Sequence, residues 1–173
     1  MSEYDPDDDL PWADPQVRVE YEAALGRFML AFNQLDNLLG NILETVLVRL
    51  GRNDLLQPCV GSANFWLRTL VLDLLKHSSE ARGIVSVPID DIKEISKHRN
   101  VLAHGHFEQN PFDGSYLIEG RGQPRDYPAA RIDKLTEKAL KCWDALRSAE
   151  GYYIFCGLPL PPAPSGRDGI PPS

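Results

Sequence analysis

The sequence predicts an all-α fold: a four-helix bundle with a long first helix and a small β-hairpin between helices three and four. Three observations carry this. Apolar residues recur at alternating steps of three and four over residues 21–46, and helical spacing returns in three later stretches. Gly, Pro and Asn punctuate the chain between those stretches. After Gly105 the helical period stops, and two short extended runs, 106–109 and 116–119, flank Asn-Pro-Phe-Asp-Gly, the composition of a hairpin loop.

Each element has its own signal. Asp14 followed by Pro15 is an N-cap and first-turn pair. From there Tyr21, Leu25, Phe28, Phe32, Leu35, Leu39, Ile42 and Val46 line one face until Gly51. At ~1.5 Å per residue such a helix runs about 50 Å, so its ends overhang a small bundle or meet a second subunit. Gly26 and Gly40 inside it mark a bend or a close crossing, at about 1 kcal/mol each relative to Ala. Residues 51–62 read as a loop. Ser62 is the expected cap of the second helix, in which Phe65, Trp66, Leu67, Leu70, Val71, Leu74 and Leu75 cover more than half the circumference. Such a helix should be largely buried, with His77 answering its dipole. The third helix begins near Ile89 and Asp90, with Ile92, Ile95, Val101 and Leu102 as its buried stripe and Gly105 in the left-handed cap position. Residues 120–127 read as a loop bearing Arg121 and Arg125. The last helix starts near Pro128 or Ala129, with Ile132, Leu135, Ala139, Trp143 and Leu146 inward. Residues 152–155 add a short strand or pack their aromatics under the bundle.

A chain of 173 residues with 43% hydrophobic content suits one domain. The expected organisation is an acidic disordered tail over 1–13, a helical domain over 14–156, and a Pro/Gly-rich disordered tail over 157–173. No apolar run reaches the ~18 residues of a membrane span, and no secretory signal is visible, so no membrane partner is expected. Cys59, Cys142 and Cys156 are odd in number and unpaired in spacing, as in a reducing cytoplasm. The formal charge is -7, but residues 1–14 hold six acids and no Lys or Arg, leaving -7 + 6 = -1 for the rest. A near-neutral body argues against a dedicated high-affinity nucleic-acid binder and leaves room for an enzyme that touches a few phosphates. The acidic tail either aids solubility or lies over a basic cleft in competition with RNA.

The chemistry concentrates in Ile92 to His106, IKEISKHRNVLAHGH. Lys97, His98, Arg99, Asn100 and His104 crowd the end of an otherwise apolar-striped helix. Arg99 and His104 are five apart, about 140° on an ideal wheel. They border one cleft only if the helix end bends or a partner supplies the other wall. Imidazole exchanges protons near neutrality, and guanidinium offers a permanent bidentate fork to phosphate. The bland alternative is an Arg paired with a neighbouring acid and a His answering the last carbonyls. His98, His104 and His106 fall within nine residues, yet without an acid at helical spacing or a Cys pair no metal is expected.

The run His98-Arg99-Asn100-Val101-Leu102-Ala103-His104-Gly105 resembles the signature of the HEPN superfamily, over a region of roughly residues 15–149. Members are helical bundles of prokaryotic toxin, antiphage and RNA-processing systems, many of them metal-independent endoribonucleases that act as dimers. The resemblance implies a HEPN-like four-helix bundle with no cofactor and a composite active site in a homodimer. Arg99 would stabilise phosphate, His104 would transfer protons, and Asn100 would orient them. Lys97, His98, His106, Arg121 and Arg125 either line the cleft and guide the RNA substrate or are solvated surface charges. It further implies a toxin or defence effector with an antitoxin or regulatory protein as partner. The alternative is a non-catalytic HEPN-like dimer that binds a protein partner or nucleotide, and a third class is a purely structural helical dimer.

Overall fold

Asp14 starts the first helix as expected: its Oδ1 accepts the Gln16 N–H at 2.8 Å, and Pro15 takes the first helical position, where no N–H is needed. In a computed structural model, which describes residues 14–77, 86–120 and 123–156, the elements follow as α1 (Pro15–Arg49), α2 (Phe65–Lys76), α3 (Ile89–His104), β1 (His106–Gln109), β2 (Tyr116–Gly120), β3 (Gln123–Asp126) and α4 (Ala129–Cys156). The protein is mostly helical, an all-α bundle with a small antiparallel β element between α3 and α4. No described helix is long and apolar enough to cross a membrane. Both disordered-tail expectations, and Arg121, lie outside the described residues.

The chain divides into two compact units, with α1 and α4 each contributing to both. The first holds residues up to Asn37 together with Pro88–Asp144. Its core is Tyr21, Ala24, Phe28, Phe32 and Leu35 of α1, Ile89, Ile92, Ile95 and Leu102 of α3, Ile118, Tyr127, and Ile132, Ala139 and Cys142 of α4. Of the expected α1 face, Leu25 alone is only partly buried; on α4, Cys142 takes the inward place expected of Trp143. The β element is a three-stranded antiparallel sheet in the order β1-β2-β3. Ile118 at its centre pairs with Phe107 on one side and with the backbone of Arg125 on the other. The hairpin 106–119 is as expected, whereas the segment read as a loop over 120–127 contributes β3. Its tip is closed by the Asn110 N–H on the Ser115 carbonyl at 2.9 Å and by Gly114, whose φ of 73° only glycine adopts freely.

The second unit holds residues 38–87 and 145–173. Here α1 buries Leu38, Leu39, Ile42, Leu43, Val46 and Leu47, a broader apolar face than further up the helix. It ends at Gly51, φ 69°, whose N–H reaches the Val48 carbonyl at 3.0 Å. Residues 51–62 contain a 3-10 turn, Asn53–Leu55, and a π turn, Gln57–Gly61. A Cβ added at Gly40 would meet the Arg68 guanidinium at 3.7 Å, an ordinary van der Waals contact.

Two expectations about α2 fail. The cap is Asn64, whose Oδ1 accepts the Leu67 N–H at 2.9 Å, and Ser62 instead accepts a hydrogen bond from Gln57. The helix is also not largely buried: only Thr69 and Leu72 are, while Trp66, Leu67, Leu70 and Leu74 stay exposed. Residues 152–155 form no strand, because α4 continues through Gly151 to Cys156. A helical glycine costs only about 1 kcal/mol, too little to end a helix of this length.

Candidate functional site

The geometry of the signature follows from the wheel of α3. Its buried residues Ile89, Ile92, Ile95, Ser96 and Leu102 fall within an arc of roughly 140° at ~100° per residue. Val101, expected in that stripe, lies on the opposite side and is only partly buried. Arg99 falls inside the buried arc. Its guanidinium carbon stands 5.3 Å from the centroid of the Phe32 ring on α1, a cation–π contact. Nη1 donates to Asn100 Oδ1 at 3.3 Å, and Nε is buried with no hydrogen-bond partner among the described residues. A guanidinium thus occupies a place where an aliphatic side chain would pack at lower desolvation cost.

His104 is the last residue of α3 and is exposed, its side chain making no hydrogen bond or ion pair among the described residues. The helix runs regularly to this point, so the angular separation from Arg99 stands and no bond joins the two within one protomer. What fixes His104 is the next residue. Gly105 is not left-handed, as the cap reading expected, but extended at φ -74°, ψ 154°. Its N–H returns to the Val101 carbonyl at 2.8 Å. Glycine is required for a different reason: a Cβ there would collide with Ile118 Cγ2 of β2 and stand 2.7 Å from the Val101 carbonyl oxygen. The end of α3 is pressed directly onto the sheet.

His98 is held differently from its neighbours. Its Nδ1 lies 2.8 Å from the hydroxyl of the fully buried Tyr127, with the two rings edge to face, and its Nε2 is 3.7 Å from Glu94. Arg131 stacks over the Tyr127 ring at 4.3 Å. Burial lowers the His98 pKa below the usual imidazole value, the nearby Arg131 adds to this, and Glu94 opposes it. One helical turn earlier, Lys138 of α4 bridges Asp91 at 2.8 Å and Glu94 at 2.5 Å. These bonds hold the Lys138 pKa up and the Glu94 pKa down. The Asp91, Glu94 and His98 edge of α3 is therefore clamped on α4 and Tyr127, while the Arg99 edge faces α1.

Lys97, Asn100 and His106 are exposed, His106 as the first residue of β1. Arg125 is on β3, opposite Ile118. Sequence reasoning missed Phe32 and Tyr127 as partners of the signature, since neither has any local spacing relation to it. No group of three or more His, Cys, Asp or Glu among the described residues is placed to hold a metal ion. A scan against family models and searches of curated proteins and of solved structures find no match to this chain.

Proposed function

We propose that this protein is a metal-independent endoribonuclease of HEPN type, a toxin or defence effector whose active site is completed by a second copy. The observation that carries the reading is Arg99: a cation kept in the buried arc of α3, with one nitrogen unpaired and Asn100 at its side. A buried polar group without a partner is uncommon and calls for an explanation, a catalytic role being one. In this reading Arg99 meets the non-bridging phosphate oxygens and the charge that builds on them. Solvent-facing His104 takes the 2′-hydroxyl proton as that oxygen attacks phosphorus. The bond to the 5′-oxygen breaks, and a second imidazole returns a proton to the leaving group, giving a cyclic phosphate and a 5′-hydroxyl. One chain presents one such histidine in the signature, and its Arg99 faces another way, so the full set requires two copies.

The second reading is a non-catalytic dimer that binds a protein partner or nucleotide. The separate surroundings of Arg99 and His104 in one protomer favour it, with Arg99 then a cation that covers Phe32. Incubating the full chain with total RNA in EDTA separates the two. Cleavage by wild type, with losses on the order of 10²- to 10⁴-fold in folded His104→Ala and Arg99→Ala, supports the nuclease. No cleavage by wild type, or equal cleavage by the variants, overturns it.

A further inference from the structure

The least expected surface of this protein is on α2. Trp66 is 53% exposed, Leu67 38%, Leu70 40% and Leu74 67%. At ~100° per residue these four fall within an arc of roughly 100°, and no other residue of the helix falls in it. The rest of the helix carries Phe65, Val71, Leu72 and Leu75 together with Arg68, Thr69, Asp73 and Lys76. Helix α2 thus buries one apolar side and shows solvent a second, wholly apolar stripe, which a helix that has found all its partners does not do.

We infer that this stripe is the face through which two copies of the chain associate, as an antiparallel α2–α2 pair about a two-fold axis. Two arguments select a second copy as occupant. The first is the symmetry of the stripe. Trp66 and Leu74 are equally spaced about Leu70, so reversing the helix exchanges these two apolar positions and leaves Leu70 in place, while Leu67 has no apolar counterpart because its mate is Asp73. Leu70 then meets its own mate on the axis, and each Trp66 covers the partner's Leu74. A self-complementary patch is what a two-fold interface demands. The second is area. A standard interface buries ~800 Å² per partner, a little over half of it apolar. One aromatic and three leucine side chains at these exposures offer roughly 350–400 Å² per copy, most of that apolar share.

The inference is independent of the nuclease reading and rests on the exposed stripe of α2. Sedimentation velocity on the full chain, from 1 to 100 µM, tests it. The expected species is a dimer of 19.4 kDa chains. Leu70→Glu should raise the dimer dissociation constant at least 100-fold while leaving far-UV circular dichroism unchanged. Mixing Leu70→Glu with Leu70→Lys should restore a one-to-one dimer, because the two charges then meet across the axis. A monomeric wild type overturns the inference, whether another protein or the chain's own C-terminal segment covers the stripe. So does a dimer that Leu70→Glu leaves intact. RNA cleavage in EDTA is scored separately, so either idea can fail alone.

Discussion

Replacing Gly105 by Ala adds a single methyl group at the junction that sets the position of His104, and the structure says where that methyl would go. It would overlap Ile118 Cγ2 and lie 2.7 Å from the Val101 carbonyl oxygen. Ile118 is itself fully buried at the centre of the sheet, and the Val101 carbonyl is already engaged by the Gly105 N–H at 2.8 Å. Neither obstacle is the free end of a flexible side chain, so the end of α3 must lift from β2. Overpacking of this kind costs about 1–3 kcal/mol, and two rigid obstacles place it near the top of that range, about 3 kcal/mol. For a chain of this size each kcal/mol moves the melting temperature by about 2–4 °C, giving a fall of about 6–12 °C. Gly26→Ala is the matched control. It lies within α1 with nothing near the added Cβ, so helix propensity should raise stability by about 1 kcal/mol. Thermal unfolding followed at 222 nm reads both. If Gly105→Ala melts at or above wild type, the close approach of α3 to β2 is wrong, and with it the account of how His104 is positioned.

Two further outcomes follow from the same structure. Asn64→Ala removes the side chain that accepts the Leu67 N–H and should cost about 1 kcal/mol in urea unfolding, whereas Ser62→Ala, at the residue the sequence favoured as cap, should cost clearly less. The His98 pKa is lowered on folding, so between the folded value and the ordinary 6.5 the unfolded chain holds more protons. Stability must then rise with pH across that window and level off above it. Urea midpoints at pH 5.5 and 7.5 should differ more for wild type than for His98→Gln. Equal differences would show that the imidazole beside Tyr127, Glu94, Arg131 and Lys138 is not the group responsible.

Much of the fold was legible because it is written locally. The Asp14-Pro15 start, the three-four spacing of α1, the onset of α3 and the hairpin after Gly105 each depend on residues close in sequence. What was not legible depends on neighbours far along the chain. Strand β3, Gln-Pro-Arg-Asp, has no apolar alternation of its own, and it forms because β2 offers it an edge. The apolar circumference of α2 suggested burial, yet composition alone does not say which arc meets a neighbour. Gly105 was rightly singled out as a glycine position, but the reason is contact with Ile118 and not a left-handed turn.

The signature itself shows where periodicity stops being informative. It places His98, Arg99 and Asn100 on one helix end as a polar cluster, and a rotation of about 100° per residue then gives each a different environment. His98 turns to Tyr127 and Glu94, Arg99 turns to the ring of Phe32, and Asn100 faces solvent beside the guanidinium. Three adjacent polar residues thus take on separable tasks. Substitution at His98 should register first in stability and its pH dependence. Substitution at His104, exposed and with an unbonded side chain among the described residues, should leave stability nearly unchanged and, on the proposed nuclease reading, register in RNA cleavage. A motif read as one chemical unit in sequence is, in the folded chain, a structural histidine, a partly buried cation and a free imidazole, and their effects can be measured apart.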